Sequence, residues 1–141
     1  MSDELSASDA DCIFCSIVAG TIPSKVVYED ATTLAFLDIF PANPGHTLII
    51  PKAHVANLLE STPEGAAAVI QTARIVARMI DEKLEPEGFT LFQTVKPAGW
   101  QDVQHLHVHV IPRWSDDALV PPWKPVRATD EQLDIVLAQL R

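Results

Sequence analysis

Basic residues are scarce in this chain. Ten Lys and Arg stand against 19 Asp and Glu, leaving a net charge of −9. Neutralising a phosphate backbone needs a cationic face, so a nucleic-acid polymer is excluded as an expected partner. A small phosphorylated ligand held by a few local donors is not. Long apolar runs are missing as well: no stretch approaches the ~18 residues that read as a membrane-crossing helix, and no membrane partner is expected. The opening MSDELSASDADC is acidic and polar where a secretory leader is basic and then apolar. A cytoplasmic location is therefore expected, where the two cysteines stay reduced. Internal repeats and low-complexity tracts are absent too. What remains is 141 residues, 48% of them hydrophobic, enough for one compact domain with a sizeable core.

Residues 1–11 read as a flexible tail and 12–141 as a single domain, partly irregular over 114–141. Apolar residues at 13, 14, 17 and 18 have helical spacing, ended by Gly20 and Pro23. Val26–Glu29 and Thr32–Asp38 read as a hairpin. PANPGH at 41–46 is a loop that feeds the buried strand HTLIIP at 46–51. STPE at 61–64 is a capping signal, with Ser61 or Thr62 as cap and Pro63 in the first turn. Behind it, Val69, Ile70, Ala73, Val76, Ala77, Ile80 and Leu84 recur at three- and four-residue steps, which predicts an amphipathic helix over roughly 64–84. FTLFQTV at 89–95 and the stretch 103–111 read as strands on either side of the loop KPAGW. TDEQ at 129–132 looks like a capping box for a final helix reaching Leu140. The order β-β-β-α-β-β with short links predicts an α+β fold: a mainly antiparallel sheet of about five strands, packed by one long helix and shorter helices.

Within QHLHVHVIPRW, residues 104–114, every second position from 105 to 109 is histidine. Alternate strand residues share a face, so His105, His107 and His109 project together while Leu106, Val108 and Val110 face a core. Two chemistries suit such a row. One is a three-histidine catalytic metal centre with an open position for water. The other is nucleophilic catalysis, in which one imidazole attacks while its neighbours position the substrate. A nucleophilic imidazole needs its distal nitrogen free and its proximal N–H anchored, and a backbone carbonyl can be that anchor. Cys12 and Cys15 form C-x-x-C, and His54 follows the third strand. Two thiolates and one imidazole lack one ligand for tetrahedral zinc. A triad histidine could supply it; a redox pair or two plainly buried cysteines are the alternatives. His46, after its Pro-Gly turn, can also reach the end of the sheet.

HLHVHVI resembles the alternating signature of the histidine triad (HIT) family. CIFCSIVAGTIPSKVVYED, LAFLDIFPANPGHTLIIPKAH and HVHVIPR resemble its bacterial nucleoside phosphoramidase-like branch over about residues 12–113. The resemblance implies a HIT-like fold and a nucleotide hydrolase or transferase acting at an α-phosphate. His107 would be the nucleophile, passing through a nucleotidyl-histidine intermediate. It implies that His109 and His46 line the phosphate pocket and that Gln101 lies near the phosphate and leaving group. Asp38 would accept the ribose hydroxyls, and Ile13, Phe14 and Ile39 would wall the base. It also implies structural zinc on Cys12, Cys15, His54 and His105, a purine nucleotide or nucleotide conjugate as partner, and a homodimer joined through the long helix and neighbouring strand. A dinucleoside polyphosphate hydrolase and a nucleotide-binding regulator with little turnover are the alternatives.

The chain departs from the family pattern in TVKPAGWQDVQH. Thr94 stands where an asparagine usually contacts phosphate, and Trp100 replaces a glycine. Asp102 holds a position often occupied by Ser or Thr, where a carboxylate repels phosphate. Lys96 is a candidate to compensate with positive charge.

Overall fold

A computed structural model describes residues 9–141; most of the expected N-terminal tail lies outside the described residues. Asp9–Asp11 lead into a turn, closed by the Cys12 N–H donating to the Asp9 carbonyl at 3.0 Å. Five strands form one antiparallel sheet: β1 (Val26–Glu29), β2 (Thr33–Leu37), β3 (Thr47–Pro51), β4 (Gly88–Gln93) and β5 (Val108–Arg113). Their spatial order is β1-β2-β3-β5-β4. Among the described residues three α-helices accompany them: α1 (Ile13–Ala19), α2 (Pro63–Leu84) and α3 (Asp130–Leu140). The fold is the α+β arrangement the patterning predicts.

Strand alternation divides the core between the two faces of the sheet. On one face, Ala35, Ile49, Leu106, Val108 and Val110 pack against Val69, Ala73, Val76 and Ile80 of α2. Three- and four-residue spacing gathers those helix residues into one stripe, and burying each Val or Ile contributes about 1.5–3 kcal/mol. Thr62 caps α2 by accepting the Gly65 N–H at 2.9 Å, with Pro63 in its first turn. Thr33 and Thr72 share a buried 2.6 Å hydrogen bond between sheet and helix. On the opposite face, Leu34, Phe36, Leu48 and Ile50 meet Cys12, Phe14 and Cys15 around the start of α1. That second face carries the histidines.

The expected strand over 103–111 is shorter in fact. Its ladder begins at Val108, which pairs with Ile49 and Gln93, so His105 and His107 precede it. Continuing the register would oppose Leu106 to Pro51. Instead the Leu106 N–H donates to the Val55 carbonyl at 2.8 Å, and the Pro51 carbonyl accepts from the His105 ring, also at 2.8 Å. A side chain takes the place of the ladder. The alternation of faces persists, because extended backbone preserves it with or without pairing.

Candidate active site and metal cluster

Two groups of side chains lie on the α1 face, joined by the extended segment 105–109. The first comprises Cys12, Cys15, His54 and His105, whose ligand atoms lie within 4.8 Å of one another. Cys12 Sγ is 3.4 Å from His105 Nδ1, and Cys15 Sγ is 3.5 Å from it and 3.3 Å from His54 Nδ1. A tetrahedral ion with zinc's bond lengths would set its sulfur and nitrogen ligands about 3.6 Å apart. The observed spacings sit just below that value, so the donor set and its dimensions fit such an ion. His105 Nε2–H donates to the Pro51 carbonyl, which leaves Nδ1 as the lone pair facing the thiols. Burial pushes the His105 ring down to about 4, against the opposing pull of the Pro51 hydrogen bond. Burial likewise raises the Cys15 thiol. The C-x-x-C spacing arises at the start of α1: Cys12 is its N-cap, and its sulfur accepts the Cys15 N–H at 3.4 Å.

Asp38, His46 and His109 form the second group. Its dimensions differ: His46 Nε2 and His109 Nδ1 are 2.9 Å apart, whereas two nitrogens on one tetrahedral zinc would be about 3.3 Å apart. This is a hydrogen bond. Its direction follows from the backbone, because the Ala42 N–H donates to His46 Nδ1 at 3.0 Å. His46 therefore carries its proton on Nε2 and passes it toward His109 Nδ1, leaving a neutral His109 with its own proton on Nε2. Asp38 Oδ2 lies 3.6 Å from His46 Nε2, and Asp38 Oδ1 accepts the Phe40 N–H at 2.8 Å. Burial lowers His46, partly opposed by Asp38. Burial, together with His107 and His46, brings His109 down to about 4.

His107 sits between the two groups and is 2% exposed. Its Nδ1–H donates to the His105 carbonyl at 2.7 Å. Nε2 accordingly bears the lone pair, with Asp102 Oδ1 3.6 Å away. The Phe14 ring meets His107 edge-on at 5.2 Å, and the His109 ring is 5.0 Å away. An anchored imidazole with its distal nitrogen free is the arrangement of a nucleophile.

Other expected site residues are placed less uniformly. Gln101 is buried and its amide is fully engaged: Oε1 accepts the Lys96 N–H at 2.7 Å, and Nε2 donates to the carbonyls of Ala56 (2.6 Å) and Val103 (3.0 Å). Thr94 Oγ1 is, among the described residues, the one buried side-chain polar atom with no partner. Ile39 is 80% and Ile13 49% exposed, so of the three expected base walls only Phe14 is packed. Lys96 is exposed and has a positive φ of 65°.

Sequence reasoning missed a supporting network. Asp117 accepts from Arg113 Nε (2.8 Å) and Nη2 (3.0 Å), from Asn43 Nδ2 (2.8 Å) and from the Trp114 and Leu119 N–H groups. Asn43 also donates to the Pro112 carbonyl at 2.9 Å. The loop bearing His46 is thereby tied to the end of the strand bearing His109. The i,i+4 pair Arg113–Asp117 was the available signal. Phe92, stacked on His109 at 4.2 Å, was missed too, although its β4 alternation predicts its face.

The comparisons agree with this geometry. Residues 19–116 match the HIT domain family model. A Bacillus subtilis relative named Protein hit is 44% identical over 115 residues, 81% of this chain and 79% of that protein. The adenosine 5'-monophosphoramidase of Schizosaccharomyces pombe is 39% identical over 106 residues, 75% of this chain and 77% of its own. Among solved structures, a Streptococcus mutans protein superposes with a TM-score of 0.91 at 37% identity, covering 97% of this chain and 87% of that one. A zinc-bound histidine triad protein from Mycobacterium smegmatis gives 0.75 at 38% identity, covering 92% and 95%. On its sequence match, its fold and its row of histidines, the chain belongs to the HIT domain family.

Proposed function

We propose that this protein hydrolyses, or transfers the nucleotidyl group of, a nucleoside phosphoramidate or related purine nucleotide conjugate, with His107 as covalent nucleophile. One observation carries the reading: His107 holds its proton on Nδ1 against a backbone carbonyl, leaving Nε2 free in a nearly sealed setting. Nε2 attacks the α-phosphorus, the leaving group departs opposite, and water then cleaves the nucleotidyl-histidine bond to release the nucleoside monophosphate. His109 presents its Nε2–H to a phosphoryl oxygen, held in that tautomer by His46 and the Ala42 N–H. Asp38 accepts from the ribose hydroxyls, while Phe14, Ile13 and Ile39 offer apolar surface to the base. Gln101 acts by holding the 96–103 loop, and Thr94 is a donor that a phosphate oxygen would satisfy.

Cys12, Cys15, His54 and His105 would hold zinc. When bound, the metal supplies a cross-link between α1, the end of β3 and the histidine segment. A homodimer built through α2 and β4 completes the reading; α2 leaves Ile70, Met79 and Leu84 exposed and β4 leaves Leu91 and Phe92 exposed. A cytoplasmic setting suits two reduced thiols.

The test is incubation with adenosine phosphoramidate, rapid acid quench and intact-mass analysis. An adenylyl adduct is expected on the wild type and none on His107→Asn, with turnover reduced about 10³-fold or more. An adduct that persists in the variant overturns the assignment. Loss of all activity on chelation, without unfolding and without any adduct, would favour a catalytic metal on the three histidines.

A further inference from the structure

We infer that Asp102 and the cavity it lines make this site selective for a cationic leaving group, an inference that rests on the phosphoramidase reading above. Three observations meet here. Asp102 Oδ1 lies 3.6 Å from His107 Nε2, the attacking nitrogen, and among the described residues no side-chain hydrogen bond occupies the carboxylate. His107 Nε2 makes no hydrogen bond among the described residues, so the lone pair of the reactive nitrogen is free for attack. Asp102 also borders a cavity of about 360 Å³, shared with Asp9, Asp11, Ile13, Val103 and Gln104 and with Cys12 and His54 of the cysteine cluster. No Lys or Arg lines it.

A phosphorus atom in attack position lies about 3–3.5 Å from Nε2, so the Asp102 carboxylate is a close neighbour of every group on that phosphorus. An anionic leaving group would meet repulsion from Asp102 and then from Asp9 and Asp11. An ammonium group would meet attraction from all three. Within the step, the phosphoramidate nitrogen enters protonated and hydrogen-bonded to the Asp102 carboxylate. The Nε2 lone pair forms the new nitrogen–phosphorus bond. The electron pair of the old phosphorus–nitrogen bond stays with the departing nitrogen, which leaves as a neutral amine. Asp102 carries 81% of its side chain exposed, so screening limits the effect to about tenfold in relative rate.

Three adenosine 5'-phosphoramidates test this: those of propane-1,3-diamine, propylamine and β-alanine. They share a phosphorus–nitrogen bond to a primary amine and carry a cationic, neutral or anionic distal end. The accompanying difference in amine basicity is common to wild type and Asp102→Asn and cancels in their comparison. For the purified protein, kcat/KM is expected to fall in that order, with the cationic compound favoured over the anionic by about tenfold and the ratio shrinking as salt is added. In Asp102→Asn the ratio is expected to fall toward one, with circular dichroism confirming that the variant is folded. Turnover of all three within twofold of each other, or an unaltered ratio in Asp102→Asn, overturns the inference and leaves the phosphoramidase reading standing. Hydrolysis of none of the three overturns both.

Discussion

His46 and His109 are held neutral by burial, and that has a price in acid. An unfolded histidine takes its proton near pH 6.5, whereas His109 in the fold takes it only near pH 4. Between those values the unfolded chain binds more protons, so the stability present above pH 6.5 is progressively lost as pH falls toward 4. His46 acts in the same direction. Unfolding free energies from urea titrations at pH 7 and pH 5 should differ by about 1 kcal/mol from His109, discounted for its partial exposure. His109→Gln should flatten that part of the profile. At the cysteine cluster the expected change is larger. Cys15→Ser removes one of four donors, and metal content by plasma emission should drop well below half an equivalent, with thermal stability falling by several degrees.

Trp100 shows how an element can carry strain at its end. It closes the short helical turn Pro97–Gly99 at φ 76°, a left-handed conformation that glycine tolerates and a bulky residue resists. Its side chain is 68% exposed and so gains little packing. Trp100→Gly should stabilise the fold by about 1 kcal/mol, read as a raised urea midpoint. The same region marks where sequence reading reached its limit. Helix α2 was legible because its stripe, its proline and its cap all agree. The hairpin and β3 were legible from β-branched runs between turns. The strand of the histidines was legible as extended backbone on the right faces, but not in its start. Alternation is common to paired and unpaired extended chain, and the hydrogen bond that ends the ladder comes from a distant pair, the His105 ring and Pro51. The grouping of His105 with Cys12, Cys15 and His54 was legible because two thiolates and one imidazole lack one donor for a tetrahedral metal. The Asp117 network was not, because its partners Asn43 and Arg113 are set together only by the fold.

Across the described residues, apolar surface is left uncovered on more than one element. Leu91 shares a face with Val110, toward α2, yet stays 46% exposed at the outer strand of the sheet. Helix α3 buries none of its residues and shows Leu133, Val136, Leu137 and Leu140 at helical spacing. If β4 and α2 meet a second copy, Leu91→Glu should convert a dimer into a monomer by light scattering while leaving the circular dichroism spectrum intact; a variant that remains dimeric would count against that interface. His105 adds a link between stability and chemistry. Its ring belongs to the cysteine cluster, and its carbonyl sets the tautomer of His107. If the cluster holds the proposed metal, its occupancy becomes a hidden variable in rate measurements. Two preparations with identical chains and identical nucleotide contacts should differ in specific activity in step with their metal content, and reloading the poorer one should bring the two together.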